Sequence, residues 1–124
     1  MRTQDTILIL GASNNPARTS YMATRFLSNK GFNLFAVANR KGQIDGITLH
    51  DDSELATNHH SDTITLFINA DRQKKYYDYI LSQNPKRIIF NPGTENPELE
   101  SLAKANHIQV ITGCTIALLT TGLL

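Results

Sequence analysis

The stretch LILGASNNPARTSY, Leu8 to Tyr21, decides how this chain is read. A short apolar run, Ile7 to Leu10, stops at Gly11 and passes through small and polar residues into a helical pattern from about Thr19. An unbroken apolar run of this length suits a strand buried on both faces. Strand, turn and helix together form the unit in which nucleotide-binding proteins hold phosphate, because free N–H groups at a helix start favour negative charge.

Three motifs can be tested against Gly11 to Ser20. A dinucleotide fingerprint needs glycine at the third and sixth places and meets Ser13 and Pro16. A P-loop needs Gly-Lys-Ser/Thr after four residues and meets Pro16-Ala17-Arg18. A nucleophile elbow around Ser13 needs glycine two residues on, where Asn15 stands. All three fail. The physical core of an anion site survives: Gly11 permits a sharp turn, Ala12 and Ser13 keep the backbone open, and Ser13, Ser20 and Arg18 add donors. The same residues also fit a plain strand-to-helix turn with its N-cap.

Outward from this unit, Leu34–Ala38, Ile64–Ile68, Arg87–Phe90 and Gln109–Thr112 read as four further strands. The first helix carries Tyr21, Met22, Ala23, Phe26 and Leu27 at helical spacing and ends by Gly31. Asp71 reads as the cap of a second, with Tyr76, Tyr77, Ile80 and Leu81 as its apolar stripe and Arg72, Lys74, Lys75 and Asp78 mostly off it. Asn96 caps a third, with Pro97 first and Leu99, Leu102 and Ala103 facing inward. A last helix starts at Thr115. The segment Gln43–Asp62 reads as a loop with one short helix.

This alternation predicts one α/β domain over residues 1–124: a Rossmann-like, doubly wound, five-stranded parallel sheet of order 3-2-1-4-5 in a three-layer α/β/α arrangement. The ligand crevice then lies beyond the carboxyl ends of strands one and four. Gly11–Ser20 faces Asn91–Asn96 there, which adds Asn91 and Gly93 to the candidate site.

The end of the second strand sharpens the choice of ligand. An NAD site places Asp or Glu about 20 residues past the glycine turn to accept from ribose hydroxyls. Here the residues are Asn39-Arg40-Lys41. Two cations attract a phosphate on the adenosine ribose, which coenzyme A carries at the 3′ position and NADP at the 2′ position. A solvated basic loop is the alternative reading.

Length and composition are those of one ordinary globular domain. The chain has 124 residues, 40% hydrophobic and 19% charged, with net charge +1. No basic stripe argues for nucleic acid, and no run approaches the roughly 18 apolar residues of a membrane span. Cys114 is the only cysteine, so no internal disulfide forms, and a cytoplasmic setting is expected. The apolar ends Ile116–Leu119 and Gly122–Leu124 either cover the sheet or seal a homodimer.

The segments GASNNPARTSY (Gly11–Tyr21), AVANRKGQIDG (Ala36–Gly46) and NPGTENPELESLAKANHIQVI (Asn91–Ile111), with Cys114 after the last strand, resemble the small stand-alone CoA-binding domain proteins. Their domain is similar to the CoA-binding part of succinyl-CoA synthetase. The resemblance implies that Gly11, Ala12, Ser13, Pro16, Arg18 and Ser20 line the pyrophosphate end of coenzyme A or an acyl-CoA. It places Asn39, Arg40 and Lys41 near the adenosine and its 3′-phosphate. Arg40 stands where the family often has proline. The synthetase also uses a second domain with a catalytic histidine, and residues 1–124 hold none, so ligase chemistry does not carry over.

Catalytic and metal sets do not converge in the sequence. His59 and His60 are adjacent on a polar loop and lack a fixed third ligand, and His107 falls at the amino-end side of the sheet. Cys114 follows the fifth strand at the ligand-bearing end, where it is either a buried hydrophobe or a reactive thiol. The leading expectation is therefore a CoA-binding module with no catalytic or metal residues. The alternatives are an NADP-type reductase, a Cys114-dependent CoA enzyme, and a regulatory or structural subunit whose turn is vestigial.

Overall fold

Successive side chains of β1 (Thr6–Ala12) enter two cores on opposite faces of the sheet, Leu8 and Leu10 in one, Ile7 and Ile9 in the other. The computed structural model describes Met1–Leu124. In chain order β1 is followed by α1 (Thr19–Asn29), β2 (Asn33–Ala38), β3 (Gly42–Ile44), β4 (Ile47–His50) and a 3₁₀ turn over Asp52–Thr57. Then come β5 (Thr63–Leu66), α2 (Ala70–Gln73), a 3₁₀ turn over Lys74–Tyr76, and α3 (Tyr77–Ser82). β6 (Arg87–Phe90), α4 (Pro97–Ala105), β7 (Gln109–Thr112) and α5 (Thr115–Thr120) complete the chain.

The expected three layers are present. Leu27 of α1 and Leu119 of α5 pack on the Ile7 and Ile9 side, while Ile80 of α3 and Leu99 and Ala103 of α4 pack on the other. Each fully buried leucine or isoleucine contributes roughly 1.5–3 kcal/mol. An exposed ion pair contributes at most about 1 kcal/mol. The two apolar cores, not the surface bridges, therefore hold the helices on the sheet.

The strand count and order differ from the expectation. The sheet has seven strands in the order β3-β4-β2-β1-β5-β6-β7, not five in the order 3-2-1-4-5. The segment read as a loop contains a hairpin: Asp45 and Gly46 both take positive φ, 47° and 82°, and join β3 to β4 antiparallel with Ile44 opposite Ile47. Such a two-residue turn matches the right-handed twist of paired strands. β4 then lies parallel to β2, Leu49 beside Ala36, in the outer place expected for the Ile64 strand. That strand, β5, pairs with β1 instead, Ile64 beside Leu8. All four of its residues are buried, so it needs a neighbour on each side, whereas Gly42 and Gln43 of β3 are exposed and tolerate an edge.

Two helix details also change. Asn69, not Asp71, caps α2, its Oδ1 accepting from Arg72 N–H at 3.0 Å. Met22, counted in the apolar stripe of α1, is 58% exposed. The α4 reading holds: Asn96 accepts from Glu98 N–H and Leu99 N–H, with Pro97 in the first turn.

Gly11 marks where β1 and β5 part. It interrupts the β1–β2 register between Leu10 and Ala12 with φ +100°. A Cβ there would stand 2.7 Å from Ile68 Cγ2 and 2.9 Å from the Phe67 carbonyl carbon. Gly11→Ala is expected to destabilise the domain by about 1–3 kcal/mol, read as a lower urea midpoint. An unchanged midpoint would mean that the Phe67–Ile68 backbone yields without cost.

At the amino end, β1 and β5 are clasped by Asp62. Thr6 N–H donates to Asp62 Oδ2 at 2.8 Å, and Asp62 N–H donates to Thr6 O at 2.9 Å. The Thr6 amide foremost, with His60, the Thr6 hydroxyl and Lys86 outweighing partial desolvation, holds the Asp62 carboxyl down to about 2. A carboxyl depressed in the folded state stabilises fully above its ordinary value of 3.8, and that stabilisation is lost as pH falls through about 2. Asp62→Asn is therefore expected to flatten the stability-versus-pH curve between those two values. Curves for the variant and the parent that stay parallel across this window would remove the role assigned to the clasp.

Candidate functional site

The loop from Ser13 to Arg18 is braced by its own polar side chains rather than by further glycines. Ser13 Oγ accepts from Asn15 N–H at 3.1 Å, and Asn15 Oδ1 accepts from Ala17 N–H at 3.0 Å. Arg18 N–H donates to Asn15 O at 3.0 Å, closing the turn before α1. These are the local bonds by which Ser and Asn favour turns. Arg18 sits at the N-cap and its side chain offers no acceptor, and no acidic residue lies in the first turn. The positive end of α1 is therefore left open.

Two cavities lie in a cleft beyond the carboxyl ends of β1, β2 and β5. The first, about 420 Å³, is walled by Gly11 and Ala12, the start of α1, the end of β2, Phe67 and Ile68 after β5, and Arg72 of α2. The second, about 500 Å³, lies between the Ser13–Asn15 loop and the Asn39-Arg40-Lys41 turn. Ala12, Arg18, Ala38 and Asn39 line both, so the two are parts of one cleft. Each volume falls within the range of small-molecule cofactor sites. The crevice opens between β1 and β5, not between β1 and the fourth expected strand, because β5 occupies the place beside β1.

Charge in this cleft is one-sided. Arg18, Arg40, Lys41 and Arg72 line it, and no Asp or Glu does. Lys41 shares Glu54 at 3.6 Å, whereas Arg18, Arg40 and Arg72 have no carboxylate within ion-pairing distance. Arg72 donates through Nη2 to Asn39 Oδ1 at 2.7 Å. Tyr76, on the first cavity's wall, donates to Asp52 at 2.6 Å. Burial foremost, and then that carboxylate, push its phenol above the usual range, so it presents a neutral ring.

The structure brings together most of the residues named from the sequence. Gly11 and Ser20 line the first cavity, Ser13, Arg40 and Lys41 the second, and Ala12, Arg18 and Asn39 both. Pro16 and Gly93 line neither, although Pro92 and Thr94 beside Gly93 do. Asn91 is 3% exposed and its amide is spent inside the protein. Its Nδ2 donates to Thr65 Oγ1 and Leu66 O, and its Oδ1 accepts from the Thr115 N–H and hydroxyl, which ties β5 and β6 to α5. That arrangement leaves the Asn91 side chain nothing to offer a ligand, so its expected place in the site gives way to a structural one.

Arg72 is the residue that sequence reasoning missed. It reads correctly as lying off an apolar stripe, but no local pattern says which polar positions of a helix overlook a cleft. Cys114, half-buried at the start of α5, and the four histidines line neither cavity. His60 is held between Gln83 O and Asp62, and His50 stacks on Phe35. No group of three or more His, Cys, Asp or Glu side chains is placed to hold a metal ion, and no helix is long and apolar enough to cross a membrane.

A crystal structure described as that of an uncharacterized protein is 38% identical, with 98% of each chain covered and a TM-score of 0.87. A Thermus thermophilus structure, cell-free ID.343, shares 22% identity over 92% of this chain and 87% of its own, with a TM-score of 0.82. A hypothetical protein from Pyrococcus horikoshii OT3 shares 20% identity over 90% and 78%, with a TM-score of 0.77. The last two show likeness of fold alone. No curated protein matches the chain. The model of the CoA binding domain family matches residues 5–120, nearly the whole α/β domain and its cleft, and the chain belongs to that family.

Proposed function

We propose that this domain binds coenzyme A or an acyl-CoA, with the pyrophosphate at the open start of α1 and the ribose phosphate near Arg40 and Lys41. The observation that carries this reading is the charge of the cleft: four cations line it and no carboxylate does. Arg18, Arg40 and Arg72 in this wall lack a counter-charge, which an anion with several phosphates would supply. Family membership supports the same choice of ligand. Cys114 lies outside both cavities, which favours a binding module over a thiol enzyme.

Calorimetric titration with coenzyme A, dephospho-CoA, NADP and NAD tests the reading. Coenzyme A is expected to bind more tightly than dephospho-CoA, and tighter binding of NADP would reject the choice of cofactor. Arg18→Ala and Arg40→Ala are each expected to weaken coenzyme A roughly tenfold, the worth of one charge-assisted hydrogen bond, with the unliganded melting temperature unchanged because both side chains are exposed. Full affinity in both variants would discard these phosphate contacts.

Self-association belongs to the same proposal. Met22 of α1 and Leu123, in the turn that follows α5, are large apolar side chains left 58% and 73% exposed, and α1 and α5 are in contact. Sedimentation equilibrium is expected to return the mass of two chains, and Leu123→Lys to return that of one. A single-chain mass for the parent protein at high concentration would remove the dimer.

A further inference from the structure

We propose that Arg72 binds the ligand's pyrophosphate from the wall opposite α1, with Asn39 as its positioning residue, while Arg40 and Lys41 answer to the ribose phosphate. The assignment rests on the phosphorylated-cofactor reading above and divides that site into two anion-binding parts. Arg72 lines only the first cavity, which it shares with Thr19 and Ser20 at the start of α1. Arg40 and Lys41 line only the second. A phosphate group in the first cavity therefore lies between the positive end of α1 and the Arg72 guanidinium.

The state of the Arg72 side chain fits this role. One N–H donates to Asn39 Oδ1 at 2.7 Å, and its other side-chain N–H groups have no partner in the protein. Asn39 is neutral, so the bond orients the guanidinium without cancelling its charge. A strap between α2 and the end of β2 would need only one donor of any kind. A planar fork held at one corner, with free donors and an uncompensated charge, suits recognition of paired phosphate oxygens.

Titrations of coenzyme A and dephospho-CoA against the full chain and its variants test the division. R72A is expected to weaken both compounds by the same factor, about tenfold to a hundredfold, leaving their affinity ratio as in the parent protein. R72K is expected to recover only part of the loss, because an ammonium lacks the fork. N39A should weaken both by less than R72A and add little to it in the double variant, since the two act as one unit. R40A should instead collapse the ratio.

Four results would overturn the assignment. A changed ratio in R72A would move Arg72 to the ribose phosphate. Unchanged affinities would leave it a strap, as would a loss that tracks a lowered melting temperature of the unliganded protein. Binding of neither compound by the parent chain would sink the cofactor reading itself and this division with it. Intact parental binding that ignores R72A would sink the division alone.

Discussion

The backbone leaving β5 passes so close over Gly11 that the position has no room for a side chain. Phe67 N–H donates to Leu10 O at 2.8 Å, and Ile68 packs where a Cβ would stand. This contact holds β5 against β1 up to the last hydrogen bond and then lets the two chains diverge, one into the Ser13–Arg18 loop and one into α2. The cleft is the gap that this divergence leaves. At Gly11 the cleft is lined by bare main chain, because the close approach excludes a side chain there, and small Ala12 follows. A ligand's phosphates can therefore approach amide groups directly.

The electrostatics of the cleft follow from where its walls come from. One cation stands at the cap of α1, two in the turn after β2, and one on α2. No single segment is strongly basic, and the net charge of the whole chain is only +1. Charges left in contact with water keep most of their hydration, so leaving them unpaired costs little in the empty protein. The same charges gain when a polyanion displaces that water from between them. Lys41, which shares Glu54, is the partial exception and the least free of the four.

Local chemistry made much of this legible. Buried strands appear as apolar runs, Asn96-Pro97 announces α4, and Gly11 announces the turn from β1 into the loop before α1. The Asp45-Gly46 hairpin was also legible in principle, since Asp-Gly between apolar residues is a strong two-residue turn signal. Reading the Gln43–Asp62 segment as a loop with one short helix finds the 3₁₀ turn at Asp52–Thr57 and hides two strands. Asn91 shows the opposite error. A polar residue at the carboxyl end of a strand looks like a ligand contact, but here it is buried and saturated by Thr65, Leu66 and Thr115. A sequence reports that such an amide needs partners and does not say whether they are protein or ligand.

What the chain determined alone was therefore most of its elements, β3 and β4 excepted, because glycine conformations, helix caps and apolar runs act within a few residues. Which strands lie side by side was decided only in three dimensions. That choice depends on matching whole buried faces, and fully buried β5 wins the central place over a half-exposed hairpin. The second wall of the cleft follows from the same choice. Arg72 meets Asn39 across 33 positions of chain only because α2 follows a strand seated next to β1.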